Sequence, residues 1–198
     1  MTAIFSAPLL LYMTVTMITP GPNNLTMLFL GAEFGLKGTR RFLTASTICL
    51  FLKTLLCGLI NAAFASVVPA AVPYLKWVGA GYMLYLGVMM ALSGWRVEAP
   101  TAAQQTESTY RSGVILQLLN MKSWVSCLSL FAVYITPVTD SLLPIPAAAL
   151  LYAAFMLASS LCWGGFGAVL RSVTTRYKKP FGILMGLSLV YCAITALL

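Results

Sequence analysis

The segment Thr19-Pro20-Gly21-Pro22-Asn23-Asn24 (TPGPNN) interrupts an apolar N-terminal run, IFSAPLLLYMTVTMITPGPNNLTMLFLGA, over residues 4–32. Two prolines, a glycine and two amides stand where an unbroken apolar helix would be easier to build. The solvent around the chain decides what such a break means. Of 198 residues, 60% are hydrophobic and 8% are charged, against roughly 25% charged in soluble domains. Apolar runs of about 20 residues, the length a bilayer-crossing helix needs, recur along the whole chain. The composition predicts an all-α polytopic membrane protein. No Lys or Arg precedes Lys37, so the positively charged start of a cleaved signal peptide is missing. A net charge of +8 in such a protein reads as basic loops held at the inner membrane surface, and no nucleic-acid partner is expected.

Six spans follow, at Phe5–Glu33, Phe42–Val67, Val72–Trp95, Ser112–Ile135, Leu142–Leu170 and Phe181–Leu198. The first is longer than a straight span requires, as expected if its centre is unwound. The polar segment VEAPTAAQQTEST (Val97–Thr109) divides the chain into two three-span halves of one transport domain, residues 1–96 and 112–198, joined by a linker over 97–111. Lys37, Arg40 and Arg41 follow span one, Arg96 and Arg111 flank the linker, and Arg171, Arg176, Lys178 and Lys179 follow span five. Nine of the twelve basic residues thus share one face, which the positive-inside rule makes cytoplasmic, with both termini outside. The halves then enter the membrane from opposite sides. That is the 3+3 inverted repeat of a secondary transporter.

The break now has a reading. In lipid, irregular backbone is tolerated only where protein buries it or water reaches it. Pro20 and Pro22 lack amide hydrogens, so carbonyls one turn earlier lose their helical partners, and Gly21 lets the chain bend. Carbonyls near Thr16 to Thr19 are freed, while a second half-helix begins near Asn23 with unused N–H groups and partial positive charge. Such a terminus suits a carboxylate. Prolines also make plain kinks in membrane helices, but this grouping of breakers and amides favours a substrate cavity.

Span four offers a counterpart. Its stretch LQLLNMKSWVSCLSLF (Leu116–Phe131) sets Gln117, Asn120, Lys122, Ser123 and Ser126 in an otherwise apolar helix. Lys122 lies about 15 Å along that helix from Ser112 at 1.5 Å per residue, near mid-membrane. Lys53 is similarly deep in span two. Intramembrane ionisable residues are rare and usually functional. The only acids are Glu33, Glu98, Glu107 and Asp140, none near the bilayer centre. The two lysines are therefore either neutral or paired with an anion from outside, and a substrate carboxylate fits. Acid-poor spans argue against a divalent-cation carrier, and no cofactor or metal site is expected. With no histidine, Glu33 is the best remaining group for proton coupling, although it also fits an interfacial charge balancing Lys37 or Arg40.

The predicted site therefore comprises Thr19, Pro20, Gly21, Pro22, Asn23, Asn24, Lys53, Asn120 and Lys122. A zwitterionic amino acid would place its carboxylate against Asn23 and Asn24, assisted by Lys122 and Lys53. Its ammonium would meet the carbonyls freed near Ile18 and Thr19, with Asn120 as a further acceptor.

TPGPNNLTMLFLGAEFGLKG (Thr19–Gly38) resembles the signature of the lysine-exporter (LysE/Rht-type) family of bacterial amino-acid exporters, matching at Pro20, Gly21, Pro22, Asn23 and the glycines Gly31, Gly35 and Gly38. VGAGYMLYLGVMMALSGWR (Val78–Arg96) is similar to the family's third span. Where the family shows Asn-Pro-Lys in span four, this chain reads Asn120-Met121-Lys122, which leaves open whether that span breaks. The doubled asparagine, the proline-less Asn-x-Lys and the ending LSLVYCAI (Leu187–Ile194) resemble the branch that exports cysteine and O-acetylserine. Threonine, homoserine-lactone and leucine export share the same signature. The resemblance implies a multi-pass bacterial inner-membrane protein, with periplasmic termini by the charge argument above, exporting a small amino acid by proton antiport.

Two other classes compete. Cys49, Cys57, Cys127, Cys162 and Cys192 all lie in apolar spans, where small-hydrophobe packing accounts for them. A membrane thiol oxidoreductase of related fold would need a cysteine in span one, which has none. A non-transporting scaffold would use small-residue pairs such as Gly31/Gly35 and Gly182/Gly186 for helix packing, within one chain or in a homodimer. It would leave the polar mid-membrane cluster without a purpose.

Overall fold

The computed structural model describes residues 6–64 and 102–171, with side chains from 110 in the second stretch, and single positions between 74 and 88 and between 177 and 194. The third and sixth expected spans and Cys192 fall largely outside the described residues. Among those described, all regular structure is helical.

The N-terminal segment forms two helices, as its prolines dictate. Helix α1 (Ala7–Ile18) ends where the Thr19 N–H bonds the Val15 carbonyl at 3.0 Å. The chain then runs extended through Gly21 (φ −173°, ψ 174°) into α2 (Pro22–Gly38). Pro22 opens α2 at the first helical position, where a missing N–H costs nothing. The 12 residues of α1 rise only about 18 Å, short of the ~30 Å hydrocarbon core, so a crossing here needs α2 as well. A second departure lies inside α2 at Gly35 (φ 67°, ψ 172°), a conformation essentially reserved for glycine. Thr39 then leads directly into α3 (Arg40–Ala63).

In the second half, α4 (Ala102–Leu119) begins ten residues before the expected Ser112. Alanine, glutamine and glutamate in that stretch are good helix formers, so the polar linker is helical from Ala102. Span four does break. A bend of 59° separates Tyr110–Leu119 from Met121–Ile135. Asn120 leaves the helix (φ −73°, ψ 90°), and its side chain accepts from the Ser123 N–H at 3.4 Å. An asparagine cap thereby starts α5 (Met121–Ser129) where the family pattern has a proline. A π-helical segment, Leu130–Ile135, continues α5, and α6 (Pro144–Val169) follows. Helices α3 and α6 are long and apolar enough to cross a membrane, and the bent α4–α5 pair makes a third such span.

Helix α6 is the hub. It lies along α2 and touches α1 and α3, while α3 packs on α4 and α5. The α2–α6 crossing is backbone against backbone: a Cβ on Gly31 would sit 2.1 Å from the Gly164 carbonyl oxygen, and one on Gly167 only 1.9 Å from that of Leu28. Small residues at such crossings let helices pack without a hydrophobic driving force. Gly31 thus finds its partners on α6 rather than acting with Gly35, which has open space around it. Leu11, Leu52, Val133, Leu150 and Phe166 are exposed on the outside, while Asn23, Asn24, Lys53, Gln117 and Asn120 are buried. This inside-out distribution suits lipid.

Candidate functional site

The two helix breaks face one another across a cavity of about 30 Å³, room for roughly two water molecules. Span one lines it with Thr16, Met17, Gly21, Asn23 and Asn24; span four contributes Gln117, Asn120, Lys122, Ser123 and Ser126; α6 adds Met156. Above the gap, the Tyr12 hydroxyl donates to the Ser126 carbonyl at 2.9 Å, and Thr16 and Tyr152 pair their hydroxyls at 3.2 Å.

Every carbonyl that the TPGP break strips of its helical donor is recapped by a side chain. Asn24 Nδ2 donates to the Met17 and Thr19 carbonyls at 2.6 and 3.0 Å. Ser159 Oγ also donates to Met17 at 2.8 Å, and Trp163 Nε1 to Ile18 at 3.2 Å. Lys122 Nζ reaches across from span four to the Thr19 carbonyl (3.0 Å), the Thr19 hydroxyl (2.8 Å) and the Pro20 carbonyl (3.2 Å). The carbonyls expected to receive a substrate ammonium are thus occupied by internal donors. Gly21 lies under the Lys122 stem, where a Cβ would come within 3.1 Å of Cδ. At this position the glycine provides room, since its extended backbone is open to any residue.

The second break is capped the same way. Lys53 Nζ donates to the Gln117 carbonyl at 2.8 Å and to Ser123 Oγ, and lies 5.3 Å from the Trp124 ring centroid. Trp124 Nε1 donates to the Leu118 carbonyl at 2.7 Å, and Ser123 Oγ to the Asn120 carbonyl at 2.7 Å. Each break therefore receives one lysine and one indole N–H. These carbonyl contacts help two lysines persist among apolar helices. A lysine at the bilayer centre costs about 3 kcal/mol on insertion scales. Hydrogen bonds from a charged donor return about 1.5–3 kcal/mol each, and a helix C-terminus adds up to ~2 kcal/mol for a cation. Two or three such bonds offset the penalty.

Of the residues expected at the site, Gly21, Asn23, Asn24, Asn120 and Lys122 line the cavity. Thr19 and Pro20 hold the Lys122 ammonium from behind, Pro22 is buried at the start of α2, and Lys53 stands one residue back, reaching the lining through Ser123. Glu33 is half-buried on α2 and is not part of the lining. Sequence reasoning left out Gln117 as a site residue and missed Ser159, Ser160 and Trp163. The serines and Trp163 come from α6, whose sequence reads simply as an apolar span. Their one signal was a pair of adjacent serines, Ser159-Ser160, in an otherwise apolar helix. Cys57 and Cys127 are fully buried, with the Cys127 sulfur 3.3 Å from the Thr54 hydroxyl, and both are free thiols.

The chain is similar to the cysteine/O-acetylserine efflux protein of Shigella flexneri serotype 5b (strain 8401), 27% identical over 194 residues and covering 98% of both chains. The protein of the same name from Escherichia coli (strain K12) is 27% identical over 183 residues, 92% of each chain. No solved structure matches. Residues 14–198, which include both helix breaks and the whole cavity, match the family described as LysE type translocator. The chain belongs to the LysE type translocator family, and it is a multi-pass membrane transporter rather than an enzyme.

Proposed function

We propose that this protein exports a small neutral amino acid or derivative, of the cysteine or O-acetylserine type, across the bacterial inner membrane by proton antiport. The observation that carries the reading is the cavity where two broken spans bring amide, hydroxyl and lysine side chains together, in a chain whose relatives are named for cysteine and O-acetylserine efflux. Substrate sites at discontinuous helices near the midplane are the recurring solution of secondary transporters. The substrate carboxylate meets the N-terminus of α2 at Asn23 and Asn24, where first-turn N–H groups have no helical acceptor. Lys122, whose ammonium is held at Thr19 and Pro20, supplies positive charge on the facing wall, and Lys53 adds to it through Ser123. Thr19, Pro20, Gly21, Pro22 and Asn120 shape the two breaks. The two three-span halves, 1–96 and 112–198, rock about this centre as an inverted repeat with both termini periplasmic, and Glu33 carries the coupled proton. A homodimer is compatible with the glycine pairs outside the α2–α6 crossing.

Counterflow in proteoliposomes tests the reading. Vesicles preloaded with unlabelled cysteine, O-acetylserine, threonine, leucine or lysine are each given the labelled compound. Accumulation of labelled cysteine and O-acetylserine, reduced at least about tenfold in Lys122→Ala (a loss of 1.4 kcal/mol or more), is the expected result. Folded wild-type protein that exchanges none of the five would overturn it.

A further inference from the structure

With the freed carbonyls capped, two polar groups at the cavity still lack partners. Asn23 Oδ1 and Gln117 Oε1 are buried and have no hydrogen bond, although their residues are only 8% and 1% exposed. Both residues line the cavity, one from each broken span. Each amide nitrogen is already committed: Asn23 Nδ2 donates to Ser160 Oγ at 3.0 Å, and Gln117 Nε2 lies 3.6 Å from Met156 Sδ. With the nitrogens so engaged, one unpartnered acceptor oxygen remains on a residue lining each side of the gap. An unpartnered buried acceptor is destabilising, and a bound donor removes that cost.

The missing group is therefore a hydrogen-bond donor. A carboxylate has none to give, whereas an ammonium has three. Resting on the exporter reading above, we infer that Asn23 Oδ1 and Gln117 Oε1 form the seat for the substrate's α-ammonium, with Gln117 as the residue that selects for an amine. Neutral amides suit the task better than carboxylates. An aspartate or glutamate at either position would capture Lys53 or Lys122 when the site is empty, and would hold a cationic substrate too tightly to release. The seat uses neither the Thr19 nor the Pro20 carbonyl, both held by Lys122, so that lysine need not be displaced for an amine to bind.

The test compares amine-bearing and amine-free competitors. Counterflow of labelled L-cysteine is competed by unlabelled L-cysteine and by 3-mercaptopropionate, which differs only in lacking the α-amine; labelled L-threonine with its des-amino analogue, 3-hydroxybutyrate, is run alongside. Wild-type protein is expected to prefer the amine by at least about tenfold, as a site built to bond an N–H rejects the analogue lacking it. Gln117→Leu should reduce that preference to about twofold or less, as expected for a pocket that lacks the acceptor. If Gln117→Leu does not fold, Gln117→Met serves as the variant of closest length. Gln117→Leu or Gln117→Met that keeps the wild-type preference, or that weakens both competitors equally, would overturn the ammonium seat and leave the exporter reading standing. Wild-type protein that exchanges neither amino acid would overturn both.

Discussion

Lys53 and Lys122 carry the only positive charges among the described residues near the breaks. Each sits on carbonyls that a helix break has released: Lys122 on Thr19 and Pro20, Lys53 on Gln117. The counter-charge is the negative end of a helix, distributed over several oxygens rather than held on one side chain. Removing such a lysine does more than delete a charge, because it strands a buried carbonyl. Lys53→Met should keep the packing volume while leaving the Gln117 carbonyl without its donor, at a cost of about 1–3 kcal/mol. Thermal unfolding in detergent should therefore show a lower midpoint for Lys53→Met than for wild type. An unchanged midpoint would mean that Lys53 contributes nothing to holding span four in its bent form.

Among the elements, α2 and α6 form the tightest contact, and glycine makes it possible. Gly31, Gly164 and Gly167 bring the two backbones together, and a methyl group at Gly167 would have to push the Leu28 carbonyl aside. Gly165, next to Gly164, has its nearest neighbour 4.0 Å away at Leu36 Cδ1. Gly165 and Gly167 therefore separate packing from propensity. Gly167→Ala should destabilise by about 1–3 kcal/mol through overpacking, while Gly165→Ala should be neutral or stabilising by up to ~1 kcal/mol through helix propensity. Unfolding in detergent that shows equal effects for the two variants would contradict the close crossing. The rigid α2–α6 pair also carries Asn23 and Ser160 as hydrogen-bonded partners. Motion that opens the cavity is thus more easily accommodated on the α4–α5 side, where the break rests on the Asn120 cap and on side-chain hydrogen bonds.

For the whole molecule, the site lies where the two broken spans meet, so the proposed alternating access requires those spans to move relative to one another. Coupling to protons then needs a titrating group outside the seat, and Glu33 on α2 is the proposed carrier. Exchange and net export make different demands on it. Counterflow moves no net protons, whereas export driven by a pH gradient does. Glu33→Gln should therefore retain counterflow within about twofold while losing gradient-driven accumulation by at least about tenfold, equivalent to 1.4 kcal/mol of driving force. Equal loss of both would assign Glu33 a structural role, and retention of both would remove it from the coupling path.

Much of this was legible in the sequence because the physics is local. Composition alone called for a helical membrane protein, and Pro20, Gly21 and Pro22 had to break span one, since prolines lack the N–H that a helix needs. Asn23, Asn24, Asn120 and Lys122 were legible as candidates because amides and an amine stand out in two apolar spans, and all four line one cavity. The break at Asn120 was not decidable, because an asparagine caps a helix only when the following turn is placed to use it, as Ser123 is here. Nor could the sequence say what partners the lysines. Their acceptors, Thr19, Pro20 and Gln117, lie between 64 and 103 residues away. Only the packing of the two halves brings each ammonium to the other span's released carbonyls. The same packing decides that Asn24, Ser159 and Trp163 cap the first break, leaving Asn23 and Gln117 as the acceptors without partners. Helix-breaking chemistry is written residue by residue, but which donors satisfy the broken ends depends on distances that exist only once the helices have packed.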